Sequence, residues 1–247
     1  QTDAITTSQI AYLSTAALNA MDTEAFSALS TDVIAALTTK QIAGLSSTIA
    51  EALTETQVAA LTTAQLSKIT STDFAMFSAE DIAVMSSSQV ASLSTAALNA
   101  MDTDAFAALS TDVISALTSK QLAGLSTGLA ALLTTAQTDA ITTSQIAYLS
   151  TAALNAMDTE AFSALSTDVI AALTTKQIAG LSSDIAEALT ETQVAALTTA
   201  QLAKITSSDF AVFSAEDIAV MSSSQVASLS TAAVSYTHLT LPTILLV

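Results

Sequence analysis

The chain contains no cysteine, arginine or tryptophan, and its 247 residues include one proline, four glycines and one histidine. Without cysteine there are neither disulfides nor thiolate metal sites. The histidine lies among the last ten residues, so the rest of the chain cannot hold a Ser/His/Asp or Cys/His catalytic site or a histidine-based metal site. We therefore expect no enzyme and no cofactor.

Positive charge is also scarce, with five lysines against 22 acidic residues and a net charge of −17. No basic stripe is available to neutralise phosphates, so neither nucleic acid nor an anionic membrane surface is an expected partner. Hydrophobic residues make up 51% of the chain, but Ser or Thr interrupts them so often that no run approaches the roughly 18 apolar residues of a membrane span. We expect no membrane insertion.

What the sequence does contain is an eight-residue repeat, here called the octad, which runs from Ile5 to Leu229. Position 0 of the octad is Leu, Ile, Met or Phe at all 29 occurrences, and position 1 is always Ser, Thr or Asp. Position 5 is usually a second large apolar residue. Such a short and uninterrupted period is typical of an elongated array and not of a globular core.

Longer copies are superimposed on the octad. Residues 1–97 match 137–233 at all but four positions, an offset of 17 octads, and related segments begin at residues 8, 88, 144 and 224. Whole octads have been lost between these copies while the register has survived. We therefore interpret 1–233 as a single array whose structural unit is one octad.

Position 1 predicts where each octad starts a helix, because Ser, Thr and Asp are the preferred helix N-caps. Many octads carry Gln three residues later, which gives the capping-box pattern Ser/Thr-x-x-Gln. In others an acid stands in the first turn, where the helix dipole favours negative charge. One continuous helix does not fit, because eight residues overshoot two turns by about 80°. We predict an all-α solenoid of short capped helices of about two turns, one per octad, with positions 0 and 5 in the core.

A β-solenoid is the alternative fold, since short repeats rich in Thr, Ile and Val are compatible with strands. The paired alanines, the frequent Gln and the small number of glycines available for turns argue against it.

The final segment, 234–247, departs from the octad and contains the single histidine, His238. Its opening Val-Ser-Tyr-Thr-His-Leu resembles a translated reading frame of the transposase end sequence used to build sequencing libraries, which implies an assembly artefact without fold or function. Gln1 lies within an octad, so we expect the chain to be a segment of a longer protein with flanking domains.

Carboxylate pairs such as Asp22 with Glu24 and Glu80 with Asp81 are candidates for weak Ca²⁺ binding. Neither fits an EF-hand loop or a glycine-rich calcium repeat, so capping and first-turn roles explain them better. Asn19, Asn99 and Asn155 are predicted to be surface or turn residues. The methionines, Met76 included, are interpreted as core, which leaves no haem ligand in the array.

Five side chains are candidate surface contacts for a protein or glycan receptor. They are Tyr12 and Tyr148 at position 7 and Lys40, Lys120 and Lys176 at position 3. Partial packing of the tyrosines against the core is the expectation that competes with this role.

The octads LTTKQIAGL (37–45) and LTTAQL (61–66) resemble those of very large, repetitive bacterial proteins that carry labels such as surface adhesin or haem utilisation. The resemblance extends over the whole array. It implies a secreted or cell-surface protein in which this region is a non-enzymatic structural spacer. A solenoid module that binds a protein or a glycan is the alternative function.

Overall fold

The computed structural model of the chain describes residues 5–230. This part of the chain contains 28 α-helices of four to six residues each and no β-strand. One helix occupies each octad, so the predicted all-α repeat is confirmed and the β-solenoid alternative is wrong. Among the same residues, no helix has the length and apolar character needed to cross a bilayer.

The helices fall into two compact units, of which the first ends at Leu125 and the second begins at Ser126. The helices of the first unit are α1 Thr7–Ile10, α2 Thr15–Asn19, α3 Thr23–Ser27, α4 Thr31–Ala36, α5 Thr39–Ile42, α6 Ser47–Ala50, α7 Glu55–Ala60, α8 Thr63–Leu66, α9 Ser71–Phe74, α10 Ala79–Ala83, α11 Ser87–Ser92, α12 Thr95–Leu98, α13 Thr103–Ala107, α14 Thr111–Ala116 and α15 Ser119–Ala123. Those of the second unit are α16 Thr127–Ala130, α17 Thr135–Asp139, α18 Thr143–Ile146, α19 Thr151–Ala156, α20 Thr159–Ser163, α21 Thr167–Ala172, α22 Thr175–Ile178, α23 Ser183–Glu187, α24 Glu191–Ala196, α25 Thr199–Leu202, α26 Ser207–Phe210, α27 Ala215–Ala219 and α28 Ser223–Ser228.

Each helix begins directly after the Ser, Thr or Asp at position 1 of its octad, which has an extended backbone and acts as the N-cap. Before α14, for example, the Ser110 hydroxyl accepts a hydrogen bond from the Val113 N–H at 3.3 Å. The predicted caps are therefore confirmed. Ser46 is an exception, because its side chain makes no capping bond to α6.

Within each unit the helices stack in layers, since most of them pack against the third helix further along the chain. Helix α4 packs against α7 in the first unit, and α21 packs against α24 in the second. Hydrogen bonds between neighbouring layers join residues that are 25 to 31 positions apart. One turn of the solenoid therefore holds between three and four octads, or about 28 residues.

The core of each unit is built from positions 0, 4 and 5 of the octad. In the octad of α4, Val33, Ile34 and Leu37 are all at most 4% exposed. The prediction placed only positions 0 and 5 in the core. It was incomplete, because position 4 is buried as well. Positions 4, 5 and 8 lie on one face of a helix, so the layer that covers two of them also covers the third. Met76 stands at position 7 and is half-buried, which corrects its interpretation as a core residue.

Position 5 carries one polar residue among residues 5–230. Thr138 occupies position 5 in α17, is fully buried, and its hydroxyl has no hydrogen-bond partner. A buried hydroxyl without a partner lowers stability.

Candidate functional site

Buried glutamines at position 4 connect the layers of the solenoid. In α5, the Gln41 Oε1 atom accepts from the N–H of its own N-cap, Thr38, at 2.7 Å, which completes the capping box. Its Nε2 atom donates to the carbonyls of Ile10 and Leu13, at 2.7 and 2.8 Å, at the end of α1. One side chain thus satisfies a donor at the start of its own helix and binds two carbonyls at the end of another.

The same arrangement recurs through both units. Interlayer bonds from Nε2 to a position-0 carbonyl are also made by Gln57, Gln65, Gln89 and Gln121 in the first unit and by Gln177, Gln193, Gln201 and Gln225 in the second. All eight are buried. Sequence reasoning identified their capping role but missed these bonds, although the apolar residues that share position 4 indicated that the position faces inward.

In three places where position 4 is apolar, an asparagine links the layers instead. Ser46 caps the octad that carries Ile49 in place of Gln, and its N–H donates to the Asn19 Oδ1 at 2.8 Å. The Asn19 Nδ2 in turn donates to the Gly44 carbonyl at 2.9 Å. Asn19 therefore performs the two tasks of the missing glutamine from the neighbouring layer. Corresponding bonds join Asn155 to Gly180 and Ser182, and Asn99 to Gly124.

The three asparagines are half-exposed at or near the ends of their helices, so the predicted surface or turn location agrees with the structure, but these bonds between layers were not predicted from the sequence. A signal for them was present in the sequence, because each asparagine is followed 25 residues later by a glycine. The glycine is needed for the close approach of the layers. A Cβ atom on Gly44 would lie 2.8 Å from the Thr15 Cγ2 atom, and one on Gly124 would lie 2.5 Å from the Thr95 Cγ2 atom.

The candidate contact residues are all on the surface. Tyr12 is 91% exposed and Tyr148 is 52% exposed, so partial packing fits Tyr148 but is wrong for Tyr12. The side chains of Lys40, Lys120 and Lys176 are exposed as well.

The glutamine bonds place the backbone positions of these residues on adjoining turns. Gln177, next to Lys176, donates to the carbonyls of Ile146 and Leu149, which lie on either side of Tyr148. Tyr148 and Lys176 therefore lie on adjoining turns of the same wall, 28 residues apart. We refer to such an arrangement as a Tyr–Lys pair.

Gln41 creates the same Tyr–Lys pair from Tyr12 and Lys40 in the first unit. In the middle copy, Gln121 binds Val90 and Leu93 in the same way. There Ser92 stands where the other two copies have tyrosine, so Lys120 has no aromatic neighbour at this position.

The acidic pairs act as caps. The Asp22 side chain accepts from the Glu24 N–H at 2.9 Å, and the Asp81 Oδ2 atom accepts from the N–H and hydroxyl of Ser78. Within residues 5–230 no three His, Cys, Asp or Glu side chains are grouped so that they could hold a metal ion. His238 and the rest of 234–247 lie outside the described residues.

The capped octads and the side-chain bonds between layers define an α-solenoid repeat protein. The profile of the ALTTAQ repeat family matches residues 2–39, 82–119, 139–175 and 170–199, which together cover more than half of the chain. The chain therefore belongs to the ALTTAQ repeat family. None of the curated proteins compared with it matches.

Proposed function

We propose that the chain is a non-enzymatic spacer region of a large bacterial protein that is secreted or displayed on the cell surface. The observation that carries the proposal is the use of the buried polar side chains. The glutamines of position 4 and the asparagines bind the backbone of neighbouring layers, and so they serve the continuation of the stack.

A spacer must be able to change in length without a change in its local packing, and the octad meets this requirement. Each new octad brings its own cap and its own core positions and, where position 4 is Gln, its own donor to the layer before it. Length can then change by whole octads while local packing is kept, which is the behaviour of repeat proteins with nearest-neighbour interfaces. The loss of whole octads between the copies of this chain agrees with this property.

The experiment that tests the spacer compares the chain with a variant that lacks residues 88–143. This deletion joins two copies of the same segment and removes seven octads, or about two turns. Small-angle X-ray scattering should give a maximum dimension that falls in proportion to the number of octads removed. A maximum dimension that changes only with the cube root of chain length would contradict a spacer.

A binding module is the second candidate function, and the exposed Tyr–Lys pairs are the observation that favours it. Tyrosine is frequent in binding surfaces because it offers a large contact area at low entropic cost. A receptor screen against glycans and surface proteins should compare the chain with a variant that carries Tyr12→Ser and Tyr148→Ser, the residue found naturally at position 92. Saturable binding that the double variant loses would favour the module over a passive spacer.

A further inference from the structure

The first turn of the array has an uncovered side, which we call the leading face. It consists of positions 0 and 4 in the octads of α1, α2 and α3, namely Ile5, Gln9, Leu13, Ala17, Met21 and Ala25, all of them exposed or half-exposed. The corresponding residues of the second unit, each 136 positions further on and identical in type, are all buried. The two sets therefore differ in what covers them and not in residue type.

The last described turn has an uncovered side of a different kind, which we call the trailing face. It consists of Ile218, Val226 and Leu229, at positions 5 and 8 in the octads of α27 and α28. Val226 is 43% exposed, and the other two residues are half-exposed. Their identical counterparts in the first unit, each 136 positions earlier, are at most 4% exposed.

The two faces are the two sides of the interface that joins layers within each unit. Position 4 faces the preceding layer, since Gln9 is exposed in the first turn whereas Gln225 is buried in the last. Position 5 faces the following layer, since Ile10 is fully buried in the first turn whereas Val226 is exposed in the last. Helix α11 has the same sequence as α28, and it is covered by α14. The trailing face therefore lacks a layer whose contact positions are those of the leading face.

The hydrogen-bonding groups of the two faces are complementary as well. Inside the array a glutamine Nε2 atom donates to the carbonyls of positions 5 and 8 four octads earlier, as Gln225 does to Val194 at 3.2 Å and Leu197 at 2.8 Å. The bonds of the Gln9 side chain go to Thr6 through Oε1, and none from its Nε2 atom reaches another of residues 5–230. No side chain of that part of the chain donates to the Leu229 carbonyl.

We propose that the leading face of one copy of this chain packs on the trailing face of a second copy, so that the solenoids associate head to tail. The small and apolar side chains of α1 to α3 cover Ile218 and Val226, and the Gln9 Nε2 atom donates to the Leu229 carbonyl. Because the interface joins two different surfaces, a dimer keeps one free face of each kind and association continues. This inference goes beyond the proposed spacer, because a stalk that joins end to end gains length without a longer chain.

Charge gives the association a characteristic salt dependence. None of the nine residues of the two faces is charged, whereas each copy carries a net charge of −17. Two copies therefore repel each other through residues outside the interface, and salt screens this repulsion. Association should become stronger as the salt concentration rises.

The test is sedimentation velocity of the full chain over a range of concentrations. Ala17→Glu blocks the leading face, and Ala16→Glu is its control, because position 3 is exposed in this octad and in the matching octad of the second unit. Val226→Glu blocks the trailing face, and Ser224→Glu is the corresponding control. All four substituted residues are exposed, so far-UV circular dichroism should show wild-type helix content for each variant.

We expect the wild-type chain and both controls to form species that grow beyond a dimer, with dissociation constants within about threefold of each other. Each blocking substitution should raise the dissociation constant at least about tenfold, because it places a carboxylate in the interface. An equal mixture of Ala17→Glu and Val226→Glu should form a heterodimer and nothing larger, since one variant keeps its trailing face and the other its leading face.

A wild-type chain that stays monomeric at every concentration would overturn the proposal and leave the faces to another occupant, such as the segment 231–247. Equal effects of the blocking and control substitutions, or association of either blocked variant with itself, would overturn the head-to-tail arrangement. The scattering comparison that tests the spacer can be made with Ala17→Glu present, so that chain length alone sets the maximum dimension. Failure of the spacer and failure of this interface are then distinguishable.

Discussion

Replacement of one interlayer glutamine should measure how much the side-chain bonds contribute to the stack. Gln57 is 1% exposed, and its Oε1 atom accepts from the Thr54 N–H at 3.0 Å. Its Nε2 atom donates to the carbonyls of Leu29 at 2.8 Å and Ser27 at 3.0 Å. Gln57→Val leaves two or three of these backbone groups unsatisfied. Each buried group left without a partner costs about 1 to 3 kcal/mol, and burial of the apolar valine side chain offsets part of this cost. The free energy of unfolding should therefore fall by about 3 kcal/mol.

The exposed residue Gln9 provides the control. It forms the capping box of α1 through Thr6, but it lies at a part of the array where position 4 is uncovered. Gln9→Val should therefore cost only the cap, about 1 kcal/mol or less. Urea denaturation followed by circular dichroism gives both free energies. Hydrogen exchange should locate the loss in the peptide around residue 57, while the peptide around Gln193 in the other copy serves as an internal reference.

Gln57→Glu separates the hydrogen bond that the side chain accepts from those that it donates. The carboxylate still accepts from the cap but cannot donate, and it places negative charge next to two carbonyls. Burial of the carboxylate should raise its pKa above that of the unfolded chain. The variant should therefore be less stable than Gln57→Val at neutral pH, and the lost stability should return as the pH falls through the raised pKa. If Gln57→Val and Gln9→Val cost the same, the interlayer bonds contribute nothing and the reasoning is wrong.

Three further predictions test other parts of the stack, each by the effect of a substitution on the free energy of unfolding. Gly44→Ala should destabilise by about 1 to 3 kcal/mol, because the new Cβ would lie 2.8 Å from the Thr15 Cγ2 atom. Gly128→Ala is the control: its Cβ would meet only one atom, at 3.9 Å, so the substitution should be neutral or slightly stabilising. Equal effects of the two substitutions would exclude the clash. Ser110→Ala should cost about 1 kcal/mol as a lost cap, and an unchanged urea midpoint would argue against that role. Thr138→Val should stabilise by about 1 kcal/mol, because it removes a buried hydroxyl without a partner; a loss of stability would show that the hydroxyl is satisfied.

Local rules allowed much of the fold to be predicted. The Ser, Thr or Asp at position 1 marks the start of every helix, because a cap is decided by residues within three positions of each other. Position 0 was recognised as core from its period alone. The roles of Asn19 and Gly44 were not recognised, since their partners lie 25 or more residues away and no local rule connects them. The Tyr–Lys pairs were named as separate residues for the same reason.

The sequence by itself determined the octad, the caps, the all-α class and the exclusion of histidine and cysteine chemistry from the array. These follow from residue type and short-range spacing. Only the tertiary structure decided that one turn holds three to four octads, that position 4 belongs to the core, and which surface residues lie on adjoining turns. The physical reason is that an octad is too short to fold alone. Its buried donors and acceptors are satisfied only by the next layer, and the register of that layer is set by packing.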